Sequence, residues 1–383
     1  MSSTRTAAFL VITWTVALAV LLAATELILR ATDDGWGRTL RLNIVRGRSF
    51  DFDVSDLYPS RSPTIRYVRD QYGLRGDCGP PGKIDILTVG GSTTDQRFLS
   101  QDATFQSVMQ AELRRVTGTA VCVSNAGVDG HSTYGHLRSF QDWFPLIPGL
   151  KPKLVIFSIG INDADFTSAG PNEFEDRILG HSSLKELRIV QLGLWLRDLL
   201  KSRFGRRPAF VSHHRVDWAS ARYTETRLAP DTPERAERNA AAFRMRLRRL
   251  VGDAHALGSD VVCVTQPHRF VRLDHGRRTG FQPAGEAHGG LDFDYSLRLI
   301  NQAMREECGN ARLVDVYSTP FEDGDFYDMV HTTPSGARKI GLQLARFIAA
   351  SPPWACRHPC VTSSLCAAKA VSTSDFSRCP TEK

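Results

Sequence analysis

Five short apolar runs divide the chain, and stretches with helical periodicity lie between them. Each run is almost continuously apolar, whereas a strand with one exposed face alternates apolar and polar residues. The runs are 83–91 (KIDILTVGG), 120–127 (AVCVSNAG), 153–163 (KLVIFSIGIND), 260–267 (DVVCVTQP) and 311–318 (ARLVDVYS). Such runs are typical of parallel strands buried on both faces. The pattern predicts an α/β fold with three α/β/α layers around a doubly wound parallel sheet of about five strands.

The helical stretches have recognisable ends. One apolar stripe closes at Gly118, and Thr-Pro pairs at 232–233 and 333–334 open two longer helices that end near Gly258 and Ala350. Glycine commonly follows the last turn of a helix, and proline is tolerated in the first turn.

Ligands of doubly wound sheets bind at the carboxyl ends of the strands, so polar residues at those ends are the first candidates for a site.

The N-terminus is apolar over the length that a membrane requires. Residues 7–25 (AAFLVITWTVALAVLLAAT) carry no charged side chain. At about 1.5 Å per residue, a helix of this length crosses roughly 30 Å of hydrocarbon. We therefore predict an uncleaved transmembrane helix within residues 1–30. A cleaved signal sequence is the alternative, although Glu26 and LILR follow where a cleavage site with small residues would be expected.

Two features disagree about the side of the membrane on which the main domain lies. Only Arg5 precedes the span, and five arginines follow it, at 30, 38, 41, 46 and 48. By the positive-inside rule this asymmetry would leave the main domain in the cytoplasm. The cysteines favour the opposite side, the periplasm or the exterior, because the Ser/Thr/Pro-rich tail at 351–383 predicts two disulfides and an oxidising compartment. Its four cysteines are Cys356, Cys360, Cys366 and Cys379.

The cysteines outside the tail, and a zinc site in place of the tail disulfides, say less about the compartment. A zinc site in the tail, with His358, is the alternative to disulfides; the absence of a C-x2-C pair from the tail counts against it. Cys122 and Cys263 fall inside apolar runs, and we expect them to be small core residues.

The rest of the chain divides by composition. Residues 31–82 are polar and predict a linker that becomes a cover over a main domain at 83–350, which has an insertion at about 165–230. The insertion contains LKELRIVQLGLWLRDLLKSRFGRR, apolar on one face and basic on the other, which either docks on the core or lies on a membrane. The net charge of +7 is spread over several helices, and no zinc-finger or RNA-binding motif accompanies it. Nucleic acid is therefore not an expected partner.

Four motifs place chemically useful residues at strand ends or just before a helix. Ser92 lies in GGST, Gly127 in SNAGVDG, Asn162 in GIND, and Asp328 and His331 in YDMVHTTPSG. A serine hydroxyl needs a base, which His331 can supply, and a carboxylate three residues earlier can hold the required imidazole tautomer. The backbone N–H groups of Ser92 and Gly127 and the amide of Asn162 can serve as oxyanion donors. Together these residues predict acyl transfer.

The motifs resemble the SGNH (GDSL-type) hydrolase superfamily, over about residues 83–350. The resemblance implies a flavodoxin-like hydrolase fold, a catalytic triad, an oxyanion hole, and no metal or organic cofactor. One departure is Gly91, where the commonest family motif has aspartate; the GGS form resembles a membrane-anchored or exported bacterial branch. The matching residues are Ser92, Asp328 and His331 for the triad, and Ser92, Gly127 and Asn162 for the oxyanion hole.

Some assignments stay open at this point. Asp323 or Asp325 could orient the histidine instead of Asp328, although spacing favours Asp328. Four further polar residues near strand ends either line the pocket or are satisfied locally; they are Asp95, Asp129, His131 and His268.

The resemblance and the predicted location imply a membrane-anchored serine esterase. Its expected substrate is an acyl ester, in particular an O-acetyl group on a cell-surface or extracellular polysaccharide. An O-acyltransferase with the same triad is one alternative. A catalytically idle carbohydrate-binding or assembly component is another, and the intact triad counts against it. The sequence names no protein partner.

Overall fold

The structure is a computed structural model. It describes residues 2–32, 35–60, 62–164, 187–190, 192, 193, 196, 213–225, 227–282 and 287–350. Its strands are β1 (Arg48–Asp53), β2 (Thr64–Arg69), β3 (Ile86–Gly90), β4 (Val123–Asn125), β5 (Leu154–Ser158), β6 (Tyr223–Thr224), β7 (Asp260–Val264), β8 (Val271–Asp274), β9 (Arg277–Phe281) and β10 (Leu313–Val314). Its α-helices are α1 (Ser2–Ala31), α2 (Ser92–Asp95), α3 (Phe105–Thr117), α4 (Thr133–Arg138), α5 (Thr232–Ala256), α6 (Gly290–Cys308) and α7 (Pro334–Ala350).

A parallel five-stranded sheet forms the centre of the fold, in the order β10-β7-β5-β3-β4. The strands β3 and β5 are buried along their whole length, as their continuous apolar sequences predict. Each of the five predicted strands is present. The prediction of a doubly wound parallel sheet is therefore confirmed.

Two hydrophobic cores lie on the two faces of this sheet, because successive side chains of a strand point to opposite faces. On one face, Leu87 and Phe157 pack in a cluster with Phe243 of α5 and Ile300 of α6. On the other face, β3 and β5 contribute Ile86 and Ile156 to a cluster with helices α3 and α7. The predicted three layers are confirmed.

Among the described residues, the apolar stretch of the N-terminal helix α1 is not buried by any other element. Ala8–Ala31 is long and apolar enough to cross a membrane, and none of its most apolar window is buried. A signal sequence near the N-terminus has the same properties. Near its end, Glu26 accepts hydrogen bonds from the backbone N–H groups of Arg188 and Ile189, both at 3.0 Å. The backbone of Arg188 and Ile189, in the insertion, thus lies against α1; most of the insertion falls outside the described residues.

The segment before the sheet is folded. Strands β1 and β2 form an antiparallel hairpin, and Tyr67 and Arg69 of β2 are buried, as is Arg75 beyond it. These side chains reach under the first turn after β3, so this part of residues 31–82 contributes directly to the support of the candidate site. A second small sheet, in the order β6-β9-β8, joins the end of the insertion to a hairpin after β7.

Two disulfides correct the interpretation of Cys122 and Cys263 as ordinary core residues. Cys78 pairs with Cys122, and Cys263 pairs with Cys308. The first links the N-terminal segment to the start of β4, and the second links β7 to the end of α6. The four tail cysteines at 356, 360, 366 and 379 lie outside the described residues, so the predicted tail disulfides stay a prediction.

Candidate active site

Ser92 lies where β3 ends and the short helix α2 begins, at the carboxyl edge of the sheet. The two glycines before it are required by space. The chain around Gly90 leaves no room for a side chain, and a Cβ on Gly91 would lie 2.8 Å from Nδ2 of Asn162 and 3.0 Å from the carbonyl oxygen of His131. Gly91 therefore lets the Asn162 amide lie directly against the backbone beside Ser92, and a side chain at this position would require that amide to shift.

Ser92, His331 and Asp328 form a continuous hydrogen-bonded chain. Nε2 of His331 lies 2.8 Å from Oγ of Ser92, and Nδ1 lies 2.7 Å from Oδ2 of Asp328. The other carboxylate oxygen of Asp328 accepts the backbone N–H groups of Val330 at 2.9 Å and His331 at 2.7 Å. The turn between the two residues thus holds the carboxylate against the imidazole, which is the geometry that a serine nucleophile needs.

The electrostatics of this chain keep Asp328 ionised. Burial by itself would raise the pKa of the carboxyl, but the charge and hydrogen bond of His331 and the two backbone N–H donors lower the pKa below its usual value. The two rival aspartates are used elsewhere. Asp325 bonds to Lys339 at 2.6 Å and to Ser335 at 2.8 Å, and Asp323 bonds to Arg269 and Arg272.

The structure corrects the position of one predicted oxyanion donor. The N–H of Gly127 donates to Oδ1 of Asn125 at 2.7 Å, so it is not available to a substrate. A Cβ on Gly127 would also collide with the backbone of α2, which shows that this glycine serves close packing. Gly130, three residues later in the same loop, has a left-handed φ of 79°, and its N–H forms no hydrogen bond with a described residue.

Asn162 lies at the other side of this loop. Its Nδ2 donates to the carbonyl oxygen of His131 at 2.8 Å, which ties the amide to the residue after Gly130. The neighbouring Asp163 is buried and accepts hydrogen bonds from Thr133 and from Arg246. Because these contacts join the GIND turn to the SNAGVDG loop, the orientation of the Asn162 amide is set before any substrate binds.

A comparison with protein families identifies the class. The model of the GDSL-like lipase/acylhydrolase family matches residues 88–339, about two thirds of the chain. The chain belongs to this family. It is thus a serine hydrolase that acts on acyl esters. No curated protein sequence matches this GDSL-like hydrolase.

Several solved structures are similar to this GDSL-like hydrolase, at low identity. The acetyl xylan esterase AlAXEase is 14% identical, with 68% of this chain and 98% of that chain covered and a TM-score of 0.36. An acetylxylan esterase from Geobacillus stearothermophilus is 15% identical, with 68% and 92% covered and a TM-score of 0.37. The lipase/acylhydrolase from Enterococcus faecalis is 14% identical, with 69% and 95% covered and a TM-score of 0.39.

Two buried glutamines of this GDSL-like hydrolase connect the motifs, and the sequence analysis did not identify them. Gln266, at the end of β7, donates to Oγ1 of Thr93 at 2.6 Å and accepts the N–H of Ile161 at 2.8 Å. Gln96 donates to Oγ1 of Thr332 at 3.0 Å. The first joins the serine turn to the asparagine turn, and the second joins the serine turn to the histidine loop. A glutamine after an apolar run is the only signal that could have pointed to Gln266.

A buried group of charges lies under the serine turn of the hydrolase. Arg69 bonds to Asp95 and to Tyr67, and Arg97 lies 3.3 Å from the other oxygen of Asp95. Arg75 donates to the backbone carbonyl oxygens at the end of α2. Burial would raise the pKa of Asp95, but the positive charges of Arg69 and Arg97 hold it below its usual value. This group anchors the helix that begins with Ser92.

The four other polar residues near strand ends are each paired inside the hydrolase. This favours their interpretation as locally satisfied groups over a role in lining the substrate pocket. The pairs are Asp95 with Arg69, Asp129 with Arg97 at 2.9 Å, His131 with the carbonyl oxygen of Leu42 at 2.9 Å, and His268 with Asp294 at 3.2 Å.

A second histidine lies against the candidate triad. The ring of His213, in the later part of the insertion, stacks on the ring of His331 with centroids 4.1 Å apart. His213, Asp328 and His331 each offer one ligand atom within 4.8 Å of the others, a grouping that could hold a metal ion. However, both nitrogens of His331 and the carboxylate of Asp328 already take part in the series of hydrogen bonds that ends on Ser92. A metal bound by these three residues would break that series.

Proposed function

We propose that Ser92 is the nucleophile of this hydrolase, with His331 as its general base and Asp328 as the group that orients His331. The single observation that carries the proposal is the chain of contacts from Ser92 Oγ to His331 Nε2 at 2.8 Å and from His331 Nδ1 to Asp328 at 2.7 Å. A neutral imidazole with its proton on Nδ1 leaves Nε2 free to accept the serine proton. The ionised Asp328 favours that tautomer.

The reaction has two steps. Ser92 Oγ attacks the ester carbonyl carbon as its proton passes to His331 Nε2, and the imidazolium then protonates the departing alcohol oxygen, which leaves an acyl-serine. Water, activated by the same nitrogen, attacks the acyl-serine and releases the acid. We propose that the oxyanion of both intermediates is bound by the N–H groups of Ser92 and Gly130 and by Nδ2 of Asn162.

We further propose that the substrate is an O-acyl group, in particular O-acetyl, on a glycan outside the cytoplasm. Two observations support this location. The apolar helix α1 suits an anchor, and the pairs Cys78–Cys122 and Cys263–Cys308 suit an oxidising compartment, because disulfides are rare in the cytosol. An enzyme anchored to a membrane in such a compartment has access to surface polysaccharides, whose O-acyl groups are acyl esters.

The test uses the full-length protein in detergent. We expect release of acetate from p-nitrophenyl acetate and from an acetylated sugar, and loss of both activities in Ser92→Ala. Longer acyl esters in the same assay define the acyl length. Adding a sugar acceptor distinguishes hydrolysis from transfer, since a transferase would form the acylated sugar at the expense of free acetate. An unimpaired Ser92→Ala variant would refute the proposed nucleophile.

A further inference from the structure

We propose that His213 binds the alcohol oxygen of the substrate, the part of the ester that leaves during acylation. This proposal rests on the proposed function of Ser92 and His331. It assigns a specificity-determining role to a residue outside the four motifs of the family, in the later part of the insertion.

The position of His213 is well defined by its neighbours. Its ring stacks on His331, with centroids 4.1 Å apart and an interplanar angle of 29°. The rings of Phe98 and His213 pack edge to face with centroids 4.9 Å apart, and Nδ1 of His213 lies 2.8 Å from the hydroxyl of Tyr327. The chain that follows is also held, since Val216 N–H donates to the carbonyl oxygen of Tyr327 at 2.7 Å.

These contacts use one nitrogen of His213 and leave the other open. Nδ1 is occupied by Tyr327, and Nε2 forms no hydrogen bond with a described residue. Burial and the neighbouring His331 lower the pKa of His213 to about 3, so the ring is neutral at physiological pH. A neutral imidazole has one donor and one acceptor nitrogen. Nε2 therefore offers one hydrogen bond, as donor or as acceptor, according to the role that Tyr327 takes at Nδ1.

The reaction brings an alcohol oxygen to this place. The departing oxygen receives its proton from His331 Nε2, so it must come within about 3 Å of that nitrogen. Because the ring of His213 stacks on His331 with centroids 4.1 Å apart, we infer that its Nε2 can reach an oxygen in this position. On a sugar ester, the departing oxygen or a hydroxyl next to it then meets His213. A p-nitrophenyl ester lacks such hydroxyls, and its phenolate leaves without needing a proton.

The experiment compares two substrates on variants of the full-length protein. His213→Phe keeps an aromatic ring against His331 but removes both nitrogens. We expect kcat/KM for a mono-O-acetylated glucose, which keeps free hydroxyls beside the ester, to fall about 10-fold, the effect of one lost hydrogen bond, with p-nitrophenyl acetate within about 2-fold of the wild type. His213→Gln puts an amide near the position of Nε2, and it should recover part of the sugar-ester activity. His275→Phe is the matched control, because this histidine is 97% exposed at the tip of the β8–β9 hairpin.

The outcomes separate the possible roles. An equal loss on both substrates in His213→Phe would show that His213 only positions His331. Unchanged activity on both substrates would show that His213 neither positions His331 nor binds the substrate. Each result overturns the proposal. Turnover of p-nitrophenyl acetate also reports whether a variant has folded. Loss of that turnover in Ser92→Ala tests the proposed function independently, so a failure of the two proposals can be told apart.

Discussion

Replacing Asp328 by asparagine should reverse the tautomer of His331. In the wild type, one carboxylate oxygen accepts two backbone N–H groups, at 2.7 and 2.9 Å, and the other accepts Nδ1–H of His331 at 2.7 Å. An asparagine has a single oxygen, and the two backbone donors require it. Its NH₂ group must then face Nδ1, which becomes an acceptor, and the ring proton moves to Nε2. That nitrogen can no longer accept the proton of Ser92.

The expected fall in kcat is large because His331 can no longer act as the base. The same replacement in a serine triad lowers kcat by about 10⁴-fold while the geometry stays intact. We expect a loss of this size in Asp328→Asn, measured as steady-state turnover of p-nitrophenyl acetate, with a thermal unfolding curve close to that of the wild type.

Two neighbouring aspartates provide matched controls. Asp325→Asn and Asp323→Asn make the same chemical change within five residues of Asp328, but their carboxylates bond to Lys339 and to Arg272 and not to His331. Both variants should keep kcat near the wild-type value. A loss below about 10-fold in Asp328→Asn would refute the tautomer argument and indicate a Ser-His dyad. A large loss in Asp325→Asn alone would refute the assignment of the carboxylate.

Three further predictions concern the surroundings of the triad. Gly91→Ala should lower kcat by about 10²–10³-fold without unfolding the protein, because its Cβ displaces the Asn162 amide; steady-state kinetics would show this, and wild-type kcat would contradict it. Arg69→Met should cost about 3–5 kcal/mol in urea unfolding, because Asp95 stays buried without its main partner; a change under 1 kcal/mol would argue against the network. All eight cysteines should resist alkylation in the native protein until a reductant is added, and reduction should cost about 2–5 kcal/mol of stability; free thiols or bound zinc in the tail would contradict the assignment of an oxidising compartment.

The sheet and the histidine loop could be predicted because their signals are local. A buried parallel strand is apolar along its length, so β3 and β5 are evident in the sequence. The three-residue spacing of Asp328 and His331 is likewise a property of one turn, and the structure brings the two side chains together.

The features that the sequence did not predict depend on the direction of backbone groups and on contacts between residues that are far apart in the sequence. Gly127 and Gly130 lie in one loop, and only the dihedral angles decide which N–H is bonded to Asn125 and which forms no hydrogen bond with a described residue. The disulfide partners Cys263 and Cys308 are separated by 45 residues, so their pairing follows from the packing of a helix on a strand. His213 reaches His331 from within the long insertion, which no pattern within the motifs could indicate.

The most direct test of the proposed mechanism is covalent labelling of the full-length protein with a fluorophosphonate, followed by peptide mass spectrometry. These reagents react with a serine whose hydroxyl is activated by a base, so the account predicts one modified residue, Ser92. It also predicts no modification of Ser92→Ala, and slow modification of His331→Gln, in which the base is lost. Labelling of a different serine, or Ser92 labelling that is as fast in His331→Gln as in the wild type, would contradict the account.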